Sequence, residues 1–73
     1  MARDFYAVLG IGSDAPAAQL RRAYLRLARR YSPHRHLWDR AAQALFDEIQ
    51  AAYRVLGDPS ARVLYDHQAR SAD

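Results

Sequence analysis

The chain has 73 residues, no cysteine and a formal charge of +3, and all eleven of its basic residues other than histidine are arginine. This length allows one domain, and the lack of cysteine excludes a disulfide framework and a cysteine-based zinc site. Apolar residues make up 51% of the chain while glycine and proline are sparse, which excludes a disordered tail and favours a helical domain. We expect a single domain at 1–73 with an ordered core at about 4–67, and its charge favours anionic partners, whether proteins or nucleic acids.

No apolar run reaches the roughly 20 residues that a membrane-spanning helix needs. Residues 1–9 also lack the apolar stretch of a signal peptide. We therefore expect no membrane segment and a soluble, cytoplasmic protein.

The first predicted element is a short helix at about 4–9. Asp4 can cap its N-terminus, and Gly10 supplies the permissive backbone that ends it. We expect residues 12–14 to form a loop with capping side chains. Pro16 then lies where the first turn of a second helix tolerates proline.

The second predicted helix, at about 15–31, is amphipathic. Its apolar face carries Leu20, Ala23, Tyr24, Leu27, Ala28 and Tyr31, and its basic face carries Arg21, Arg22, Arg26, Arg29 and Arg30. Residues three and four apart share a face of a helix, so one side is predicted to be core and the other solvated. Pro33 disfavours helical backbone at Ser32 and ends the helix.

The third predicted helix, at about 40–56, is capped by Asp39 and ended by Gly57. Its apolar stripe consists of Leu45, Phe46, Ile49, Ala52, Tyr53 and Leu56. This stripe can face the second helix in an antiparallel hairpin, with Trp38 as a lid on the end of the hairpin.

A capping Asp58 and a first-turn Pro59 predict a short fourth helix at about 59–67, followed by frayed residues 69–73. We expect Tyr65 and Asp66 to fasten this helix. We expect the other tyrosines on core faces, which are Tyr6, Tyr24, Tyr31 and Tyr53, to pack against one another. The predicted fold is all-α, with two long antiparallel helices flanked by two short ones.

Four segments, in this order, resemble the J-domain of DnaJ-type co-chaperones. They are residues 4–10 (DFYAVLG), 20–28 (LRRAYLRLA), 46–59 (FDEIQAAYRVLGDP) and 62–66 (RVLYD). The resemblance covers residues 4–67 and implies the J-domain-like four-helix fold.

The resemblance breaks down at the turn between the two long helices. In J-domains this turn carries His-Pro-Asp, which docks on a DnaK-type chaperone and triggers its ATP hydrolysis, whereas here it reads Ser32, Pro33, His34. The family's aspartate offers an anion to basic groups of the chaperone, but histidine is only neutral or cationic. If that contact is buried in the complex, its loss should cost roughly 2–5 kcal/mol. We therefore expect weak or absent stimulation of the chaperone's ATPase.

The resemblance also implies that the basic face of the second helix contacts an acidic patch of the chaperone, although a solvated helix face is the simpler interpretation. Leu25 lies among these arginines where the family commonly has a charged residue, and as a hypothesis it marks a different partner. The predicted partner-binding residues are Arg21, Arg22, Leu25, Arg26, Arg29, Ser32, Pro33, His34 and Arg35.

The predicted function is therefore that of a chaperone-interaction module with a degenerate tripeptide. It could tether a parent protein to the chaperone, damp the chaperone system, or pair with a J-domain protein. One alternative is a working co-chaperone in which Arg35, His36 or neighbouring loop groups compensate for the altered tripeptide.

The alternative of another class is a basic helical module that binds nucleic acid. The loop between the long helices is too long for the tight turn of a helix-turn-helix motif. Any affinity for DNA should then be weak, salt-dependent and indifferent to sequence, so nucleic acid is not the expected partner.

Two loop histidines, His34 and His36, supply too few ligands for a metal site. No nucleophile with a base, no phosphate-binding glycine loop and no paired carboxylates can be assembled from the sequence. We predict no enzyme activity, no cofactor and no small-molecule substrate.

Overall fold

A computed structural model describes residues 4–35 and 37–71. Within that part of the chain it contains four helices, α1 (Phe5–Leu9), α2 (Ala17–Arg30), α3 (Arg40–Leu56) and α4 (Pro59–Ser71), and no strand. The all-α prediction, with its order of helices, is confirmed. No helix in the described residues is long and apolar enough to cross a membrane.

The last helix is longer than predicted. It continues to Ser71, four residues past the predicted end near residue 67. Residues 68–71 contain no glycine or proline, so nothing in the local sequence stops the helix. Residues 72 and 73 lie outside the described residues.

Three of the predicted aspartate caps are present. The Oδ1 atom of Asp4 accepts from the Tyr6 N–H at 2.7 Å, and that of Asp39 accepts from the Ala42 N–H at 3.1 Å. Asp58 caps α4 in the same way, accepting from the Ser60 N–H at 3.1 Å. Each contact satisfies a backbone donor that the first helical turn leaves without a partner.

The start of α2 differs from the prediction. Pro16 is the N-cap residue and not part of the first turn, and no side chain caps this helix. Proline has no side-chain acceptor, and the carboxylate of Asp14 lies against Gly12 instead of the helix end. At the end of α1, by contrast, Gly10 adopts the predicted left-handed backbone with φ of +70°.

The helices α2 and α3 form the predicted antiparallel pair. The Tyr24 and Tyr53 rings stack with centroids 4.1 Å apart, and the Tyr24 hydroxyl donates to Gln50 Oε1 at 3.3 Å. Further along α2, Ala28 shares a groove with Phe46, so the two helices run in opposite directions. The buried core of α1, α2 and α3 consists of Tyr6, Leu9, Leu20, Ala23, Ile49, Ala52 and Leu56.

Helix α4 is fastened to α1 through Tyr65 and Asp66, as predicted. The Tyr65 hydroxyl accepts from the Phe5 N–H at 3.1 Å and donates to Asp4 Oδ1 at 3.2 Å, and the two aromatic rings stack 5.0 Å apart. The Tyr6 hydroxyl donates to Asp66 Oδ1 at 2.6 Å.

Arg62 joins α4 to the loop before α2. Its Nε donates to the Tyr6 hydroxyl at 3.0 Å, and one terminal nitrogen donates to the carbonyls of Ser13 at 3.2 Å and Ala15 at 2.6 Å. These bonds satisfy two loop carbonyls that no helix could pair. The arginine therefore has a structural role within the fold.

The two tyrosines that fasten α4 predict a loss of stability at alkaline pH. Burial raises the pKa of Tyr6 and of Tyr65 above the ordinary value of 10.0, and for Tyr6 the hydrogen bond to Asp66 adds to the effect while Arg62 opposes it. The folded state then holds these protons more tightly than the unfolded chain does. Their contribution to stability is complete below pH 10.0 and is lost as the pH rises through the raised pKa.

Urea unfolding followed by circular dichroism, from neutral pH to well above the ordinary tyrosine pKa, measures this effect. We expect the free energy of unfolding of the native chain to fall more steeply above pH 10.0 than that of the Tyr6→Phe variant. Equal slopes for the two proteins would contradict the prediction.

Trp38 does not form the predicted lid. Its side chain is 94% exposed. Helix α3 begins only at Arg40, after an extended Asp39, so the helical stripe does not continue backwards to Trp38. The tryptophan therefore lies in the loop, away from the core face of the helix.

Candidate partner-binding surface

The basic face of α2 is exposed over its whole length. All five of its arginines are exposed, and Leu25 among them is 41% exposed, as predicted. A shallow depression on this face, called here the arginine depression, is lined by Arg22, Leu25, Arg26, Arg29, Arg30 and Arg35. Every charged residue that lines it is an arginine, which concentrates positive potential there.

The altered tripeptide forms a hydrogen-bonded turn directly after α2. The N–H of Arg35 donates to the Ser32 carbonyl at 3.0 Å, with Pro33 at the second position of the turn, where its fixed φ is favoured. The Ser32 hydroxyl accepts from the N–H of His34 at 3.3 Å. Serine thus stabilises the turn locally, and the side chains of His34 and Arg35 are exposed.

An open groove lies between this turn and the two long helices. Tyr24, Leu25, Ala28 and Phe46 form its apolar floor, and Arg29, Ser32, His34 and Arg35 contribute its polar groups together with Gln50. The groove has a volume of about 670 Å³. An apolar floor with basic groups around it suits a partner segment that carries both apolar and acidic side chains.

The groove and the arginine depression adjoin. Leu25, Arg29 and Arg35 line both, so the arginines of α2 and the turn form one continuous surface. Eight of the nine residues predicted as partner-binding line the groove, the arginine depression or both. Arg21 is exposed on α2 outside these two surfaces.

Sequence reasoning missed the floor of the groove. It assigned Tyr24, Ala28 and Phe46 to the core face, whereas in the structure all three are only half-buried. Residues at the margin of a helix pair belong to the apolar stripe and still present one edge to solvent. The sequence pattern alone does not show which residues of the stripe lie at this margin, because that depends on where the partner helix packs.

Among the residues that the structure describes, no group of three or more histidine, aspartate or glutamate side chains could hold a metal ion. His36, the second histidine considered as a ligand, lies outside the described residues. The groove is lined by groups that suit the binding of a partner: guanidinium groups, an imidazole, a hydroxyl and apolar side chains.

Comparisons with known proteins agree with this fold. The sequence model of the DnaJ domain matches residues 4–66. "Chaperone protein DnaJ" of Acetivibrio thermocellus is 44% identical over 70 residues, which are 96% of this chain and 18% of the relative. "Chaperone protein DnaJ" of Thermosynechococcus vestitus is 52% identical over 66 residues, 90% of this chain and 17% of the relative. The chain spans less than a fifth of the length of these two relatives, and over residues 4–66 it belongs to the DnaJ domain family.

Proposed function

We propose that the chain is a J-domain-like interaction module that binds a DnaK-type chaperone and stimulates its ATPase weakly or not at all. Membership of the DnaJ domain family and relatives named as chaperone proteins support the choice of partner. The observation that carries the weak stimulation is His34 beside Arg29 and Arg35 on the groove, where the family's tripeptide has an aspartate.

Residue 34 lacks the negative charge that the family's aspartate carries. A basic group of the chaperone that would meet the family's aspartate meets the imidazole of His34 on this chain. The guanidinium groups of Arg29 and Arg35 line the same groove. Neither group accepts a hydrogen bond as a carboxylate does. Leaving a buried charge unpaired costs roughly 2–5 kcal/mol, a factor of about thirty or more in equilibrium terms.

Ser32 does not replace the missing contact. Its hydroxyl already accepts from the N–H of His34 within the turn. The side chain is shorter than the family's histidine and is half-buried, so it reaches little beyond the turn. The turn keeps its shape through Pro33, but its two flanking side chains are not those of the family's tripeptide.

The arginines of α2 supply the attraction that binding needs. Their exposed guanidinium groups steer an acidic surface toward the groove and speed its association, and this effect weakens as salt rises. We expect binding to persist without stimulation, because the arginines of α2 supply an attraction that does not depend on the anion missing from the turn.

The test measures both properties on the same proteins. Calorimetry with the ATP-bound DnaK-type chaperone encoded in the same genome should show salt-sensitive binding. Single-turnover ATP hydrolysis with the chain at saturation should stay within about twofold of the chaperone alone, since the turn lacks its anion. Full stimulation would establish the alternative, a working co-chaperone with an unusual turn, and no binding at low salt would exclude the partner.

A matched pair of substitutions assigns the binding face. Arg26→Gln, in the arginine depression, should weaken binding about three- to tenfold at low salt. Arg54→Gln removes the same charge from an exposed position of α3 and should have little effect. Equal losses from the two substitutions would show that net charge, and not this face, determines binding.

A further inference from the structure

Leu37 and Trp38 form an apolar tip on the loop between α2 and α3. Leu37 is 61% exposed and Trp38 is 94% exposed, and Trp38 is the sole tryptophan of the chain. Single exposed apolar residues are ordinary on a protein surface. Two in succession, one of them a tryptophan almost wholly in water, leave a large apolar area unburied by the fold.

Local hydrogen bonds tie this tip to the first turn of α3. The Gln43 side-chain nitrogen donates to the Leu37 carbonyl at 2.8 Å, and Asp39 caps the helix through the Ala42 N–H at 3.1 Å. The backbone is therefore anchored on both sides of Trp38. An anchored tip loses less conformational entropy when a partner immobilises it, which favours tight binding.

The tip follows the candidate binding surface closely along the chain. Arg35, which lines both the groove and the arginine depression, precedes Trp38 by three residues, so their Cα atoms are at most about 11 Å apart. Arg40 follows Trp38 by two residues and is exposed. The exposed Asp39 between them caps the helix N-terminus and offsets one of these two positive charges, so Arg35, Asp39 and Arg40 together carry a net charge of +1.

We propose that Leu37 and Trp38 are a second anchor, which inserts into an apolar pocket bordered by carboxylates on the same DnaK-type chaperone. This inference rests on the proposed function and extends the interface beyond the turn. Tryptophan is among the residues enriched at the energetic centre of interfaces, and it buries a large rigid area. The arginines on either side complement acidic groups around such a pocket.

The single tryptophan provides a direct reporter. With 5-fluorotryptophan incorporated at Trp38, the ¹⁹F resonance should shift when the ATP-bound chaperone is added. Calorimetry should show an affinity loss of about tenfold or more for Trp38→Ala, as for a residue at the centre of an interface, and a smaller loss for Leu37→Ala. Trp38→Phe should retain most of the affinity.

Leu64→Ala is the matched control. Leu64 lies on α4 and is 58% exposed, close to the 61% of Leu37, so the two alanine variants remove the same side chain from sites of similar exposure. The control should change the affinity less than about twofold, as surface substitutions outside an interface do. Thermal unfolding of each variant establishes that it is folded before binding is measured.

These measurements distinguish a failure of the proposed anchor from a failure of the proposed function. If the native chain binds, but the ¹⁹F resonance stays in place and Trp38→Ala binds equally well, the anchor is wrong while the proposed function stands. If the native chain does not bind, the proposed function fails and the anchor with it. A ¹⁹F shift caused by phosphatidylglycerol vesicles, or by raising the chain's own concentration, with none caused by the chaperone, would assign the tip to a membrane surface or a second copy and overturn the proposal.

Discussion

Replacing Ser32 by histidine and His34 by aspartate together is expected to raise single-turnover ATP hydrolysis by the DnaK-type chaperone at least about tenfold above the rate with the native chain. The double substitution restores the tripeptide that J-domains carry. It places an anion on a groove whose charged groups are otherwise arginines and a histidine. Pro33 and the bond from the Arg35 N–H to the residue-32 carbonyl keep the shape of the turn, because neither depends on the replaced side chains.

The control makes the same two exchanges elsewhere. Ser60→His with His67→Asp introduces the same residue types at exposed positions of α4, away from the groove, and should leave the hydrolysis rate unchanged. Each single substitution at the turn should stimulate less than the pair. If the native chain already stimulates as strongly as the double variant, the altered turn does not disable the module. If the double variant binds and stays silent, the defect lies outside the turn.

The second large effect concerns stability. Ile49 is 1% exposed in the core shared by α1, α2 and α3, so Ile49→Ala removes three carbon atoms from a packed site and leaves a cavity. Such substitutions cost about 2–5 kcal/mol. A domain of this length has roughly 4–11 kcal/mol of stability in total. The variant should therefore lose a large fraction of its stability, and it would be partly unfolded at ambient temperature only if the native stability lies at the low end of this range.

Urea unfolding followed by circular dichroism measures this loss. Val63→Ala, at a site of α4 that is 70% exposed, is the control and should change the free energy of unfolding by less than about 0.5 kcal/mol. A loss below about 1 kcal/mol for Ile49→Ala would show that the core collapses around the missing atoms and is less tightly packed than its burial indicates.

Helix order and most helix ends could be predicted from the sequence because they depend on residues close in the chain. Asp4, Asp39 and Asp58 each cap a backbone N–H only two or three residues further on. Gly10 ends α1 through its own left-handed backbone. At Pro16 the prediction was off by one position, which shifts a cap without changing the fold, and at α4 it ended the helix too early because no residue there marks an end.

The sequence predicted most of the residues of the candidate site but not the shape of the surface that they form. The basic face of α2 and the turn at Ser32 follow from periodicity and from Pro33. Whether Phe46 lies under the core or at the edge of a groove depends on how far α2 covers α3 there, which no local pattern contains. Trp38 shows the same limit, since the stripe of the third helix extended backwards predicted a lid and its place in the loop left it in water.

The contacts that join the ends of the chain could be seen only once the helices were packed. Arg62 donates to the carbonyls of Ser13 and Ala15, and Tyr65 bonds to Phe5, across separations of 47 to 60 residues. Hydrogen bonds of this kind form between whichever groups the hydrophobic packing brings together, and the residue types alone do not name their partners. Local rules of capping and periodicity thus account for the four helices. The packing of α1 against α2 and α3 determined the core, and the packing of α2 against α3 determined the groove.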